Sequence, residues 1–155
     1  MRRKCLAKEN CPVARGYDAI GDWWSLLIVL NVLNHGTRRF SQLQEDLGMA
    51  KNILTARLKK LVEEDILKKC PCREGGAYHQ YGPTDRGRDL YKVLIALRQW
   101  GEKYYGSGCK DTPQLVDRLN KQPIPMIEVR SADGRVLAPG AEGGAGQVVR
   151  GSRVW

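Results

Sequence analysis

Residues 41–64 read SQLQEDLGMAKNILTARLKKLVEE, and this stretch decides the fold. Ser41 is a capping residue type and Gln44 stands three places on, the spacing of a capping box, so a helix is expected to start there. Leu43 and Leu47 form its inner face, and Gly48 supplies the stop. After the turn Gly48-Met49-Ala50, the stretch from Lys51 to Glu64 forms a second helix. Leu54, Leu58, Leu61 and Val62 fall on one stripe. Asn52, Ala56, Lys59 and Glu63 point the opposite way, with Thr55 and Lys60 on the flanks. Two helices joined by a short turn, the second studded with Lys and Arg, suit the laying of one helix into the major groove of DNA.

On the C-terminal side, 67–73 and 77–81 flank Glu74-Gly75-Gly76, a glycine pair that permits a tight hairpin turn and so a wing. Pro83 removes a ladder donor and is expected to end the second wing strand early. Thr84-Asp85, a hydroxyl cap with an acid in the first turn, starts one long helix to about Tyr105. Its stripe of Leu90, Val93, Leu94, Leu97 and Trp100 exceeds the needs of a small core, and part of it reads as a dimer surface. On the N-terminal side, Cys11-Pro12 opens a helix to about Ile20, with Pro at the first position, where its missing N–H costs nothing. Gly21-Asp22 breaks the chain, and a second helix, 24–34, is apolar on nearly every face and belongs at the centre of the core.

After Gly106 the composition shifts to Pro and Gly. Short strands are expected at 124–129 and 135–137 around Asp133-Gly134, followed by a mobile glycine-rich end. The expected fold is mainly α with a small β-hairpin wing: a dimeric winged helix-turn-helix domain over 1–110 and a short β-containing extension over 111–155.

The 155 residues carry a formal charge of +9. Residues 1–110 hold 20 Lys and Arg against 12 Asp and Glu, a net +8, whereas 111–155 hold 6 against 5. The excess lies with the helices and implies a polyanionic partner there. Five cysteines at irregular spacing do not form a disulfide framework, which points to a reducing cytoplasm. No signal peptide is expected, and the apolar run 26–30 is far too short to span a bilayer. With two histidines, no P-loop, no Gly-x-Ser-x-Gly and no metal-hydrolase pattern, an enzyme is not expected, nor a cofactor.

Cys11-Pro12-Val13, Gly21-Asp22 followed by Trp24, 38–43 (RRFSQL), 54–59 (LTARLK) with Leu61, and Tyr81 followed by Thr84 and Gly87 resemble the HxlR family of bacterial winged-helix transcriptional regulators, relatives of the MarR group. The resemblance covers about 5–106. It implies a homodimer on a pseudo-palindromic operator, with the first and last helices building the dimer and, in some members, sensing of oxidants or electrophiles through a cysteine matching Cys11. Trp23 stands where the family has Lys or Arg, and Ala50 where it has a Ser cap, a loss of roughly 1 kcal/mol.

On this reading Asn52 pairs with adenine, Lys59 donates to guanine, and Thr55 and Ala56 touch a thymine methyl. Arg38, Arg39, Ser41, Arg57 and Lys60 are candidates for phosphate, Ser41 through its helix N-terminus. For Arg57 the alternative is an ion pair with Glu45 or Asp46. Lys68, Lys69, Arg73 and His79 are the wing's candidates for phosphate or the minor groove. Cys11 at a helix N-terminus is the candidate reactive thiol, with Cys5 as resolving partner; the alternative is an inert cap residue. Cys70-Pro71-Cys72 has poor spacing for zinc, and no metal is expected. The competing function is a winged-helix module that binds protein. It would need an apolar or acidic recognition face, where this one is Asn, Thr and Lys with one Glu at its end.

Overall fold

The computed structural model describes residues 10–71, 79–106 and 115–137, with the backbone pairing of 149–150 and 153–154. By contact the chain forms two units, Met1–Leu94 and Ile95–Trp155.

In the first unit helix α1 (Pro12–Ile20) starts with Pro at its first position. Helix α2 (Trp23–His35) follows after Gly21 and is capped by Asp22, whose carboxylate accepts from the Ser25 N–H at 3.0 Å. Ser25, Ile28, Val29 and Val32 of α2 are buried, and Leu27 stays exposed, so α2 is central without being covered all round. Gly36 (φ 82) turns the chain into a two-residue strand β1 (Arg38–Arg39).

Helix α3 (Phe40–Leu47) begins one residue before the expected cap. Pairing of Arg39 with Gln80 holds the chain extended through residue 39. Gln42 then reaches back, its Oε1 accepting from the Arg39 N–H at 2.8 Å, so the Ser41/Gln44 capping box does not form and Ser41 lies in the first turn. Gly48 (φ 61) ends α3 in the left-handed conformation that favours glycine. Helix α4 (Lys51–Glu63) starts at Ala50, which provides no side-chain cap. Leu54, Leu58 and Leu61 of α4 enter the core with Ile28, Val29, Val32, Leu43 and Met49. Each such buried side chain contributes roughly 1.5–3 kcal/mol.

Strands β2 (Leu67–Pro71) and β3 (His79–Pro83) pair antiparallel from Leu67↔Pro83 to Pro71↔His79. Strand β1 adds on the other side of β3, giving a three-stranded sheet in the order β1-β3-β2 where a two-stranded wing is expected from sequence. Strand β3 runs through Pro83, contrary to expectation. The Thr84 N–H bonds the Ile66 carbonyl at 3.2 Å. Bonded positions alternate along an antiparallel pair, so position 83 needs no donor toward β2. The expected single last helix is two: α5 (Asp85–Asp89), capped by Thr84 Oγ1, and α6 (Tyr91–Tyr105). Between them Leu90 tightens the backbone, its N–H bonding the Gly87 carbonyl at 3.3 Å.

In the second unit, 115–137 forms isolated antiparallel bridges, Val116↔Pro123 and Arg130↔Val136, rather than the expected strands. The turn at Asp133-Gly134 is present, with Gly134 at φ 88 and the Ser131 N–H bonding the Arg135 carbonyl at 2.9 Å. Strands β4 (Val149–Arg150) and β5 (Arg153–Val154) pair with each other. The glycine-rich run 140–146 and the hairpin turn 74–76 lie outside the described residues. Among those described, no helix is long and apolar enough to cross a membrane.

Candidate nucleic-acid interface

The apolar stripe of α4 settles which residues face outward. With Leu54, Leu58 and Leu61 in the core, Lys51, Asn52, Thr55, Ala56 and Lys59 line a shallow open groove of about 630 Å³ on the opposite side. The Lys59 side chain is 75% exposed and reaches Glu63 at 3.8 Å, also exposed. Such a surface pair contributes little, so Lys59 can exchange it for a phosphate or a base edge. The Thr55 hydroxyl donates to the Lys51 carbonyl at 2.7 Å, so a contact with thymine would come from its methyl group. Asn52 is exposed with its donor and acceptor on this face. Lys51, missed from sequence, belongs to the same face; its helical spacing, four places before Thr55 and eight before Lys59, was the available signal.

The phosphate candidates divide. Arg38 is held inward: its side chain is 14% exposed, its Nε donates to Asn31 Oδ1 at 3.1 Å, and its guanidinium pairs with Asp46. Arg57 pairs with neither Glu45 nor Asp46; its Nε lies 3.3 Å from Oδ1 of Asp22. Lys60 donates from Nζ to the Asp18 carbonyl in the last turn of α1. Arg39 is half-buried at the β1–α3 junction, and Ser41 is exposed.

On the wing, Lys68 and Lys69 are exposed on β2, and His79 is exposed on β3 opposite Pro71. Arg73 and Cys72 lie outside the described residues, as does Cys5. Tyr81, paired with Arg38 on one side and Lys69 on the other, has its phenol pushed above the ordinary value by burial. Cys11 is the half-buried N-cap of α1. Its carbonyl accepts from the Arg15 N–H at 3.1 Å, and its thiol makes no capping bond among the described residues. Those residues contain no cluster of His, Cys, Asp and Glu able to hold a metal ion.

Comparison with known proteins follows the same geometry. A family model described as HxlR-like helix-turn-helix matches residues 19–108. The uncharacterized HTH-type transcriptional regulator Rv3095 of Mycobacterium tuberculosis is 37% identical over 96 residues, 62% of this chain and 60% of its own length. The chain thus spans about 60% of the length of that relative. The uncharacterized HTH-type transcriptional regulator sll1512 of Synechocystis is 35% identical over 95 residues, 61% of this chain and 70% of its own. Among solved structures, PA1607, described as a candidate transcription factor, matches with a TM-score of 0.81 at 44% identity, covering 87% of this chain and 94% of that one. The reduced form of the transcriptional regulator YodB from B. subtilis shares the fold, with a TM-score of 0.54 at 24% identity over 64% of this chain and 98% of its own.

Proposed function

Because the chain belongs to the HxlR-like helix-turn-helix family, we propose that it is a sequence-specific DNA-binding transcriptional regulator that acts in the cytoplasm as a homodimer on a pseudo-palindromic operator. The observation that carries the reading is the outward face of α4. Lys51, Asn52, Thr55, Ala56 and Lys59 are polar, small or cationic, form one continuous face, and stand on the second helix of a helix-turn-helix. Asn52 and Lys59 read base edges, Thr55 and Ala56 meet a thymine methyl, and Lys51 with Lys68 and Lys69 of the wing neutralises phosphate. Ser41 and Arg39 are kept as phosphate contacts, and His79 and Arg73 as wing contacts to phosphate or the minor groove, from sequence.

Homodimerisation is supported by apolar surface that a monomer leaves in water. Val13 and Tyr17 of α1 are exposed, and so are Val93, Leu97, Trp100 and Tyr104 of α6. The spacing on α6 is that of a heptad seam. Cys11 is kept as the thiol input for oxidants or electrophiles, since its sulfur is not engaged in capping α1. If Cys11→Ser responds to diamide and aldehydes as the parent does, that input is excluded.

The primary test is a gel-shift on the protein's own promoter region at several salt concentrations. Six to ten phosphate contacts should lose about 10³–10⁵ in affinity between roughly 50 and 200 mM salt. Binding that is flat across that range, or absent, would overturn the proposal.

A further inference from the structure

Helix α4 carries two cations that serve the protein rather than the solvent. Arg57 Nε is buried and makes no hydrogen bond among the described residues, so the Asp22 carboxylate 3.3 Å away is what compensates its charge. The Asp22 side chain is 8% exposed and is itself fixed. It accepts from the Ser25 N–H at 3.0 Å and from the Ser25 hydroxyl at 2.6 Å while capping α2. Lys60, three residues after Arg57 and on the same flank, ties α4 to the Asp18 carbonyl of α1.

We infer that Asp22 and Arg57 are positioning residues for base reading: their ion pair sets the rotation of α4 about its axis, although neither touches DNA. The inference rests on the DNA-binding reading above. Burial of Leu54, Leu58 and Leu61 holds α4 against the core but is non-directional. A rotation of roughly 20° moves a side-chain tip about 5 Å from the axis by about 2 Å, more than a hydrogen bond to a base edge tolerates. The Arg57–Asp22 contact sits at one point of the helix circumference, and its Coulomb energy falls as the two groups separate, so a rotation that draws Arg57 away from the fixed carboxylate is opposed. Asp22 is referred to α2, whose Ile28, Val29 and Val32 are fully buried, so the reading helix takes its bearing from the core. The cationic count of α4 therefore overstates its phosphate contacts, since Arg57 and Lys60 are already engaged.

Fluorescence anisotropy titrations of the full chain test this, using a duplex bearing its own promoter site and a scrambled duplex, between roughly 50 and 200 mM salt. Arg57→Met and Asp22→Asn should each lower the preference for the promoter duplex by about tenfold. Neither should flatten the dependence of log affinity on log salt. Lys51→Met, the outward phosphate control, should flatten that dependence by about one contact's worth. Asn caps helices as well as Asp does, so Asp22→Asn keeps α2 capped and keeps the test open if Arg57→Met does not fold. Flattening by Arg57→Met with the preference intact would make Arg57 a phosphate ligand and overturn the inference, as would an unchanged preference in Asp22→Asn. Wild-type protein that prefers no duplex is a different result, visible before any variant is made, and it would remove the DNA-binding reading itself.

Discussion

A Cβ placed on Gly87 would stand 2.2 Å from the carbonyl oxygen of Ile66. The contact lies where the helix-turn-helix passes into the wing, and several bonds converge on it. Thr84 Oγ1 donates to the Asp65 carbonyl at 2.6 Å and the Ile66 carbonyl at 3.0 Å, and accepts from the Gly87 N–H at 3.0 Å. Arg86 adds a bond to the Glu64 carbonyl at 2.7 Å. Helix α5 is thereby seated on the junction between α4 and β2, which fixes where the wing leaves α4.

Gly87→Ala should therefore cost on the order of 1–3 kcal/mol, because the obstacle is backbone and cannot swing aside. Gly16→Ala, inside α1 with nothing within 4 Å of the added carbon, should instead gain about 0.5–1 kcal/mol from the lost chain entropy. Chemical denaturation of the two variants beside the parent gives opposite shifts in midpoint. Equal shifts would contradict the geometry.

Arg38 bridges Asn31 of α2 and Asp46 of α3 from a largely buried position, so Arg38→Ala should lower stability by about 1.5–3 kcal/mol. Arg38→Lys should recover little, since an ammonium cannot reproduce the planar fork. Thermal melts measure the loss. Unchanged stability with a flatter salt dependence of DNA binding would return Arg38 to the phosphate ligands.

Ala50 leaves the first turn of α4 without a side-chain cap, and its extended backbone (φ −62, ψ 137) already has the conformation a cap needs. Ala50→Ser should add about 1 kcal/mol by accepting one of the free N–H groups. Denaturation midpoints check the gain, and a loss on substitution would place another partner at that turn.

What sequence disclosed is what repeats at short range. The Leu54, Leu58 and Leu61 stripe follows from helical period, Pro12 from its missing N–H, and Gly48 from the left-handed turn it makes possible. The outward face of α4 followed from the same period. Contacts between residues distant in sequence were not legible: Asp22 with Arg57, Asp18 with Lys60, and β1 against β3. Nothing at position 57 distinguishes an arginine aimed at a carboxylate from one aimed at a phosphate. Capping misled at Ser41, because strand pairing at Arg39 overrode the local preference. The Asp22 cap, with Ser25 three places on, is a local pattern and legible in the sequence.

Tyr81 predicts a pH dependence. Burial raises its phenol above the ordinary 10.0, so the unfolded chain loses this proton first as the solution becomes alkaline. The unfolded state then binds fewer protons than the folded one, and stability falls as pH rises from about 10 through the folded value. Below that range the contribution is fully present. Tyr81→Phe keeps the ring and deletes the titration, so its melting curve should lose less than the parent's between pH 9 and 11 (roughly one unit either side of the ordinary tyrosine value). Parallel losses would exclude Tyr81 as the source.

Gln99 of α6 imitates a strand toward the C-terminal extension. It is buried at 6% exposure; its Nε2 donates to the Pro125 carbonyl at 2.9 Å and its Oε1 accepts from the Ile127 N–H at 2.8 Å. An amide is the one neutral side-chain group that offers a donor and an acceptor side by side, which is what the carbonyl of one residue and the N–H two places on require. Gln99→Glu keeps the length and shape but turns the donor into a second acceptor, facing the Pro125 carbonyl. Gln99→Leu removes both bonds and leaves apolar bulk. Gln99→Leu should raise hydrogen exchange at the Ile127 N–H by about tenfold or more, because that proton's protection comes from Oε1 alone among the described partners. Gln99→Glu keeps an acceptor for that proton and loses only the bond to the Pro125 carbonyl, so its effect should be smaller and come from repulsion between the two oxygens. Exchange at Ile127 unchanged in both variants would mean that the segment is held by its own turn at 131–135 and that the Gln99 amide is incidental.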